Sequence, residues 1–203
     1  MNSRARQDLP RLRLPLLTGK EPLADNGKPL GPLLIDFWRW STSDLVDNTV
    51  RGVLAEFVVA SALNIDLEGP RTSWTPYDLE LSGTSIEVKS AAYVQSWHQR
   101  HFSGISFKDS STQAYDGDTN TYASESKRQA DLYILALLSH QNKLTINPLD
   151  VAQWQFFVLP TQLLNTHYQN HKTITLKILS NLGIQPVTYG QLLSAVERAL
   201  APK

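Results

Sequence analysis

The sequence predicts an α/β fold, a mixed central β-sheet flanked by helices, and three observations carry that prediction. A hairpin signal spans residues 77–90, with Ser82-Gly83 as a two-residue loop between alternating strands. The run Gly52–Leu63 is apolar or small except for Glu56, is too long for a strand, and is framed by the helix-boundary residues Asp47, Asn48 and Asn64. Asp131–Leu138 and Trp154–Leu159 have the length and apolar content of buried strands.

Taken in order, residues 1–34 read as an extended, basic, proline-rich arm, and residues 35–203 as a single domain. Pro10, Pro15, Pro22, Pro29 and Pro32 block long helices in the arm. There Arg4, Arg6, Arg11, Arg13, Lys20 and Lys28 outnumber Asp8, Glu21 and Asp25. The cluster Phe37, Trp38 and Trp40 opens the folded part and reads as core or interface, ahead of a helix over 52–63 that is apolar nearly all round and so expected to be buried. After the hairpin, Phe102–Phe107 reads as a short strand and residues 108–121 as polar turns. Asp116-Gly117-Asp118-Thr119-Asn120 imitates the start of a calcium loop, but Thr121 replaces the required glycine and Lys127 the closing glutamate, leaving a polar loop. Asn147-Pro148-Leu149-Asp150 is turn-like, and Pro160 closes the strand before a helix over 161–168. Residues 172–179 alternate as a strand does, with a short helix over 176–182 as the alternative. Thr188 and Gln191 form a capping box for a last helix with Leu192, Leu193, Val196 and Leu200 on its apolar face.

Composition narrows the function. The chain has 203 residues, 41% of them hydrophobic and 19% charged, the proportions of a globular domain with a substantial core. Its formal net charge of zero argues against a nucleic-acid coat protein, without excluding an enzyme whose carboxylates offset basic residues elsewhere. With no cysteine there is no disulfide, thiolate zinc site or cysteine nucleophile. No apolar run reaches membrane-spanning length and no signal-peptide core opens the chain, so a cytoplasmic protein without a membrane partner is expected.

The hairpin register sets Leu79 opposite Ile86 and Asp78 opposite Glu87. Leu79, Leu81, Ile86 and Val88 then share one face, and Asp78, Glu87 and Lys89 the other. Directly opposed carboxylates, with Cβ atoms about 5 Å apart, repel each other unless a cation sits between them. An all-oxygen donor set suits Mg²⁺, with Mn²⁺ as substitute. Lys89 stands within reach of a metal-bound water or of the anion it attacks, and the arrangement reads as metal-assisted phosphodiester hydrolysis. Glu56, alone in its apolar helix, is costly to bury unless it pairs with a cation such as Arg51 or meets a metal.

Asp78 followed by Glu87-Val88-Lys89, with Glu56 on the preceding helix, resembles the PD-(D/E)XK nuclease superfamily, the fold group of many restriction, repair and junction-resolving nucleases. The resemblance covers roughly residues 45–160 and implies a restriction endonuclease-like αβββαβ core. It also implies that Asp78, Glu87 and the Val88 carbonyl hold Mg²⁺, that Glu56 completes the site directly or through water, and that Lys89 orients the attacking water. The implied partner is DNA. One such site cuts one strand, so duplex cleavage, as by a type II restriction enzyme, implies a homodimer. A repair, resolvase or transposon-type nuclease of the same fold, and a non-catalytic nucleic-acid-binding module, are the alternatives. Gln95, His98 and Arg100 just after the hairpin, and Arg128 further on, are candidates for contacts with phosphates or base edges.

Overall fold

Asn26 and Gly27 both adopt positive φ, 47° and 81°, the geometry of a two-residue turn whose twist matches antiparallel strands. They join β1 (Pro22–Asp25) to β2 (Lys28–Leu33). The computed structural model describes residues 9–109 and 111–201; Arg4, Arg6 and Asp8 of the expected arm lie outside them. From residue 22 onward the extended arm is replaced by a hairpin, because prolines are tolerated in strands that have a free edge. Ahead of it the chain lies over the body, where Arg11 meets Asp118 at 3.6 Å.

Helix α1 (Leu34–Thr42) follows directly and buries none of its residues. Phe37 and Trp40 are exposed, so of the expected core or interface role the core is not found there. Helix α2 (Asn48–Ala62) starts where Asp47 accepts hydrogen bonds from the Thr49 and Val50 N–H groups. It is buried on one face only, through Ala55, Val58 and Val59, while Val53 and Phe57 lie exposed. The helix expected to be buried all round therefore leaves apolar side chains, Val53 and Phe57, at the surface.

The predicted hairpin forms in the predicted register: β3 (Leu79–Leu81) pairs with β4 (Thr84–Ala92), Leu79 facing Ile86. The chain then passes through β5 (Ser106–Lys108) and the hairpin β6 (Thr112–Asp116) with β7 (Thr121–Lys127) before β8 (Leu132–Leu138). β8 runs parallel to β4, and a parallel neighbour requires a long crossover, which this excursion supplies. β9 (Trp154–Pro160) returns antiparallel to β8, and α3 (Thr161–His167) follows. Residues 172–179 contain both expected alternatives in succession, β10 (Thr173–Thr175), paired with β5, and α4 (Leu176–Asn181). The Thr188–Gln191 capping box opens a 3₁₀ turn that leads into α5 (Leu192–Leu200).

The central sheet has the order β3-β4-β8-β9. On one face α2 and α5 pack over Ile86, Val88, Ile134 and Phe156. On the other, Leu135, Leu137 and Leu159 meet Phe107, Leu164, Ile174 and Leu179. Every residue of β8 is buried, as expected of a strand covered on both faces. The coarse expectation of a mixed sheet flanked by helices therefore holds. The αβββαβ element order does not appear among the described residues: β8 and β9 are joined through a 3₁₀ turn at Val151–Gln153, and the next helix comes only after β9. An antiparallel return needs no crossover helix.

Candidate active site

β4 extends past the end of β3, so the backbone N–H of Val88 has no strand partner on that side. Asp78, one residue before β3, takes its place: its Oδ2 accepts from the Val88 N–H at 2.8 Å, while its own N–H donates to the Ile86 carbonyl at 3.0 Å. The carboxylate is thereby fixed at the hairpin mouth. Glu87 and Lys89 project from the face opposite Ile86 and Val88, and the Lys89 ammonium donates to Glu87 Oε1. Burial pushes the Glu87 carboxyl above its ordinary value, the neighbouring Asp78 pushes it the same way, and Lys89 opposes both.

Glu56 on α2 belongs to the same electrostatic group. Its carboxyl is also raised, first by burial and then by Asp78, against the opposing pull of Arg71 and Lys89. Arg71 grips both Glu56 oxygens, Nη2 to Oε1 at 2.7 Å and Nε to Oε2. The partner considered from sequence, Arg51, is buried elsewhere, donating to the Val46 carbonyl, Asn48, Ser90 and Gln95. Arg71 sits in the irregular segment between α2 and β3, and no periodicity or motif announces its reach back to the helix.

Asp78, Glu87 and Lys89 line one cleft of about 710 Å³, walled by Trp74–Pro76, by Lys108, and by the β6–β7 face that carries Gln113, Tyr115, Tyr122 and Ser126. Tyr133, opposite Glu87 in the β4–β8 register, forms part of its floor. Burial, with Asp109 and Glu87 adding to it, pushes the Tyr133 phenol up, so it stays protonated as a donor. Glu56 and Arg71 open instead on an adjoining, more apolar cleft of about 600 Å³; Asp78 lines both. The four sequence-predicted residues are thus neighbours, with Asp78 at the junction and Glu56 on the far side.

Among the described residues, no three histidine, cysteine or acidic side chains converge as a ready metal cage. Mg²⁺ does not require one, since it is typically held by one or two carboxylates with waters and substrate phosphate completing the shell. Asp78 and Glu87 supply that number of hard oxygen donors. The upward push that Asp78 exerts on Glu87 is the repulsion a cation between them would relieve. The residues present fit the ion.

Two of the expected nucleic-acid contacts are corrected. Gln95 is buried, accepting from Arg51 at 3.2 Å and donating to the Ala92 carbonyl and Ser103 at 3.1 Å each. Arg128 is buried too, with Nη2 2.7 Å from Asp109 Oδ2 and Nη1 2.8 Å from Asn165 Oδ1. A planar guanidinium satisfies an interior carboxylate bidentately, which suits arginine to such a position as well as to a phosphate. His98 and Arg100 are exposed, and Arg100 lines a separate cleft with Gln99, His101 and Phe102, away from the acidic group.

The sequence model of the family described as bacteriophage T4 endonuclease IV matches residues 38–178. That span contains α2, Arg71, the β3–β4 hairpin, the β6–β7 hairpin and β8. No curated protein matches the chain.

Proposed function

The chain belongs to the bacteriophage T4 endonuclease IV family, and from that membership we propose that it is a Mg²⁺-dependent endonuclease hydrolysing phosphodiester bonds of DNA at Asp78, Glu87 and Lys89. The observation that supports this site over others is the Asp78 carboxylate pinned by the Val88 N–H beside a Glu87 whose carboxyl is raised and already paired with Lys89. Asp78 and Glu87 would hold the ion, with the Val88 carbonyl as a further oxygen. A bound Mg²⁺ supplies Lewis acidity toward the phosphoryl oxygen and a more acidic bound water.

The remaining work falls to the chain. Lys89, which donates to Glu87 in the same cleft, would orient the attacking water and offset the negative charge that builds on the phosphoryl oxygens. Asp78 keeps its position throughout because its anchor is backbone. Glu56 tunes the group from the neighbouring cleft, its charge moderated by Arg71.

Cleavage of DNA in Mg²⁺, Mn²⁺, Ca²⁺ and chelator tests the proposal. Mg²⁺ and Mn²⁺ are expected to support turnover, and Ca²⁺, with its looser geometry, little. Asp78→Ala, Glu87→Ala and Lys89→Ala should each lower turnover by two or more orders of magnitude, about 3 kcal/mol of transition-state stabilisation. Calorimetric metal affinity should fall in the two carboxylate variants and hold in Lys89→Ala. Full activity in excess chelator, or wild-type cleavage by folded Asp78→Ala and Lys89→Ala proteins, would overturn it.

A further inference from the structure

Three aromatic rings stand beside the acidic cleft with no part in the fold's core. Tyr115 and Tyr122 are a cross-strand pair on β6–β7, their ring centroids 5.0 Å apart and their planes tilted by 46°. Trp74, from the segment before β3, meets Tyr115 edge-on at 6.3 Å and 72°. None of the three is stacked face to face on another. Trp74 is 71% exposed and Tyr122 62% exposed. The register of β6–β7 shifts between Gln113 and Tyr115, the kind of irregularity that re-aims a side chain.

The position of these rings is the informative part. Trp74, Tyr115 and Tyr122 line the cleft that holds Asp78, Glu87 and Lys89, and they also line an adjoining cleft of about 500 Å³. The two clefts share that wall. Cations flank it: Lys108 borders the acidic cleft, and Arg11 borders the other. Arg11 lies close to Gly117: a Cβ at that position would stand 3.3 Å from Arg11 Nη1. The acids nearby are already engaged. Asp118 faces Arg11 at 3.6 Å, and Asp116 accepts from the Asp118 and Thr119 N–H groups of its own turn.

We propose that Trp74, Tyr115 and Tyr122 form a nucleobase-stacking subsite that holds the base adjoining the scissile phosphate, with Arg11 and Lys108 on the flanking phosphates. This rests on the nuclease reading of the acidic cleft. A strand whose phosphate sits at Asp78 and Glu87 continues across the shared wall, so its next base meets an aromatic surface. Only a base turned out of its stack presents a face to such a surface, and aromatic stacking accepts any base by its π-face. Trp74, Tyr115 and Tyr122 therefore position the strand and take no part in bond breaking.

The test uses a mixed-sequence oligodeoxynucleotide, single-stranded and duplex, with the cut mapped and an abasic residue placed in turn at each position around it. Binding is measured in a Lys89→Ala background and cleavage in the wild-type background. One abasic position beside the cut is expected to weaken binding by the Lys89→Ala protein about tenfold, within the range for a stacked base. In Trp74→Leu and Tyr122→Leu, intact DNA should bind about tenfold more weakly and the same abasic position should cost little more. Tyr122→Phe should behave as wild type. Both replaced side chains are exposed, and circular dichroism checks that the variants fold. Equal abasic losses in the Lys89→Ala protein with and without the leucine substitutions, or no sensitive position at all, would overturn the subsite. The nuclease reading is judged separately: it stands if Lys89→Ala abolishes cleavage and falls if Lys89→Ala cuts normally.

Discussion

Two hairpins in this chain turn on nearly the same backbone, and they carry very different consequences. Asn26 and Gly27 have φ of 47° and 81°; Ser82 and Gly83 have 49° and 82°. In β3–β4 the residues so paired include the buried Leu79 and Ile86, with Val88 just beyond in the same core. In β1–β2 no residue is buried, and Leu23 and Leu30 are 60% and 57% exposed. The turn sets register in both, and burial decides what that register is worth. A one-residue slip in β3–β4 would carry Glu87 and Lys89 to the core face, whereas the same slip in β1–β2 displaces nothing from a core. That difference is why side chains are held in a fixed arrangement at one hairpin mouth, where the Asp78 carboxylate accepts from the Val88 N–H, and not at the other.

The largest expected break in the comparison is a truncation in each. Ile86→Ala removes a fully buried side chain at the centre of the sheet and should cost about 2–5 kcal/mol. Leu30→Ala should stay within about 0.5 kcal/mol, as surface substitutions do. Urea unfolding followed by tryptophan fluorescence reads both. Similar losses at the two sites would show that β1–β2 is packed more tightly than its exposure indicates.

A finer comparison holds packing constant. A Cβ at Gly27 or at Gly83 would meet nothing within 4 Å, and both glycines sit at positive φ. Alanine at either position therefore introduces backbone strain alone, about 1 kcal/mol. For Gly83→Ala that cost should appear in global unfolding, because β3–β4 is part of the cooperative sheet. For Gly27→Ala it should appear only as faster amide exchange in β1–β2, with the urea midpoint unchanged. A global shift from Gly27→Ala would join the two hairpins into one folding unit.

The same contrast explains what the sequence could and could not disclose. The β3–β4 register was legible because one face is buried, so apolar and polar residues alternate and Glu87 and Lys89, the candidate site residues, fall on the polar face. Hairpin β1–β2 carries the Asn-Gly signal, but its five surrounding prolines point toward irregular chain and no alternation contradicts them. Hairpin β6–β7 was invisible as strands because all of β7 is exposed, which leaves no pattern for burial to impress. Charge is written in a sequence but burial is not, so Gln95 and Arg128 looked available for nucleic acid when Gln95 satisfies the interior Arg51 and Arg128 the interior Asp109. The pairing of Glu56 with Arg71 depends on how an irregular loop folds back on a helix, which no local rule specifies.

The smallest expected effect concerns how β1–β2 is tied to the rest of the chain, given that burial does so little there. Glu21 provides much of the tie. Its carboxylate accepts from the Thr18 N–H at 2.9 Å, the Thr18 hydroxyl at 2.8 Å and the Gly19 N–H at 2.9 Å, and its carbonyl accepts from the Leu34 N–H at 2.8 Å. These bonds, the Thr18 backbone first, hold its carboxyl down at about 2, against an ordinary value of 4.5. A depressed carboxyl contributes its stability in full above the unfolded value and loses it as pH falls through the folded one. The window is therefore from about 4.5 down to about 2. Amide protection at Leu34 and Ile35, whose N–H groups bond Glu21 and Gly19 carbonyls, should fall across that window while β8 amides remain protected. Glu21→Gln should show reduced protection at Leu34 and Ile35 at neutral pH and little further change on acidification. If those amides in the wild-type chain follow the β8 amides instead, the hairpin is secured through the sheet's own cooperativity, and exposure alone does not separate the two hairpins.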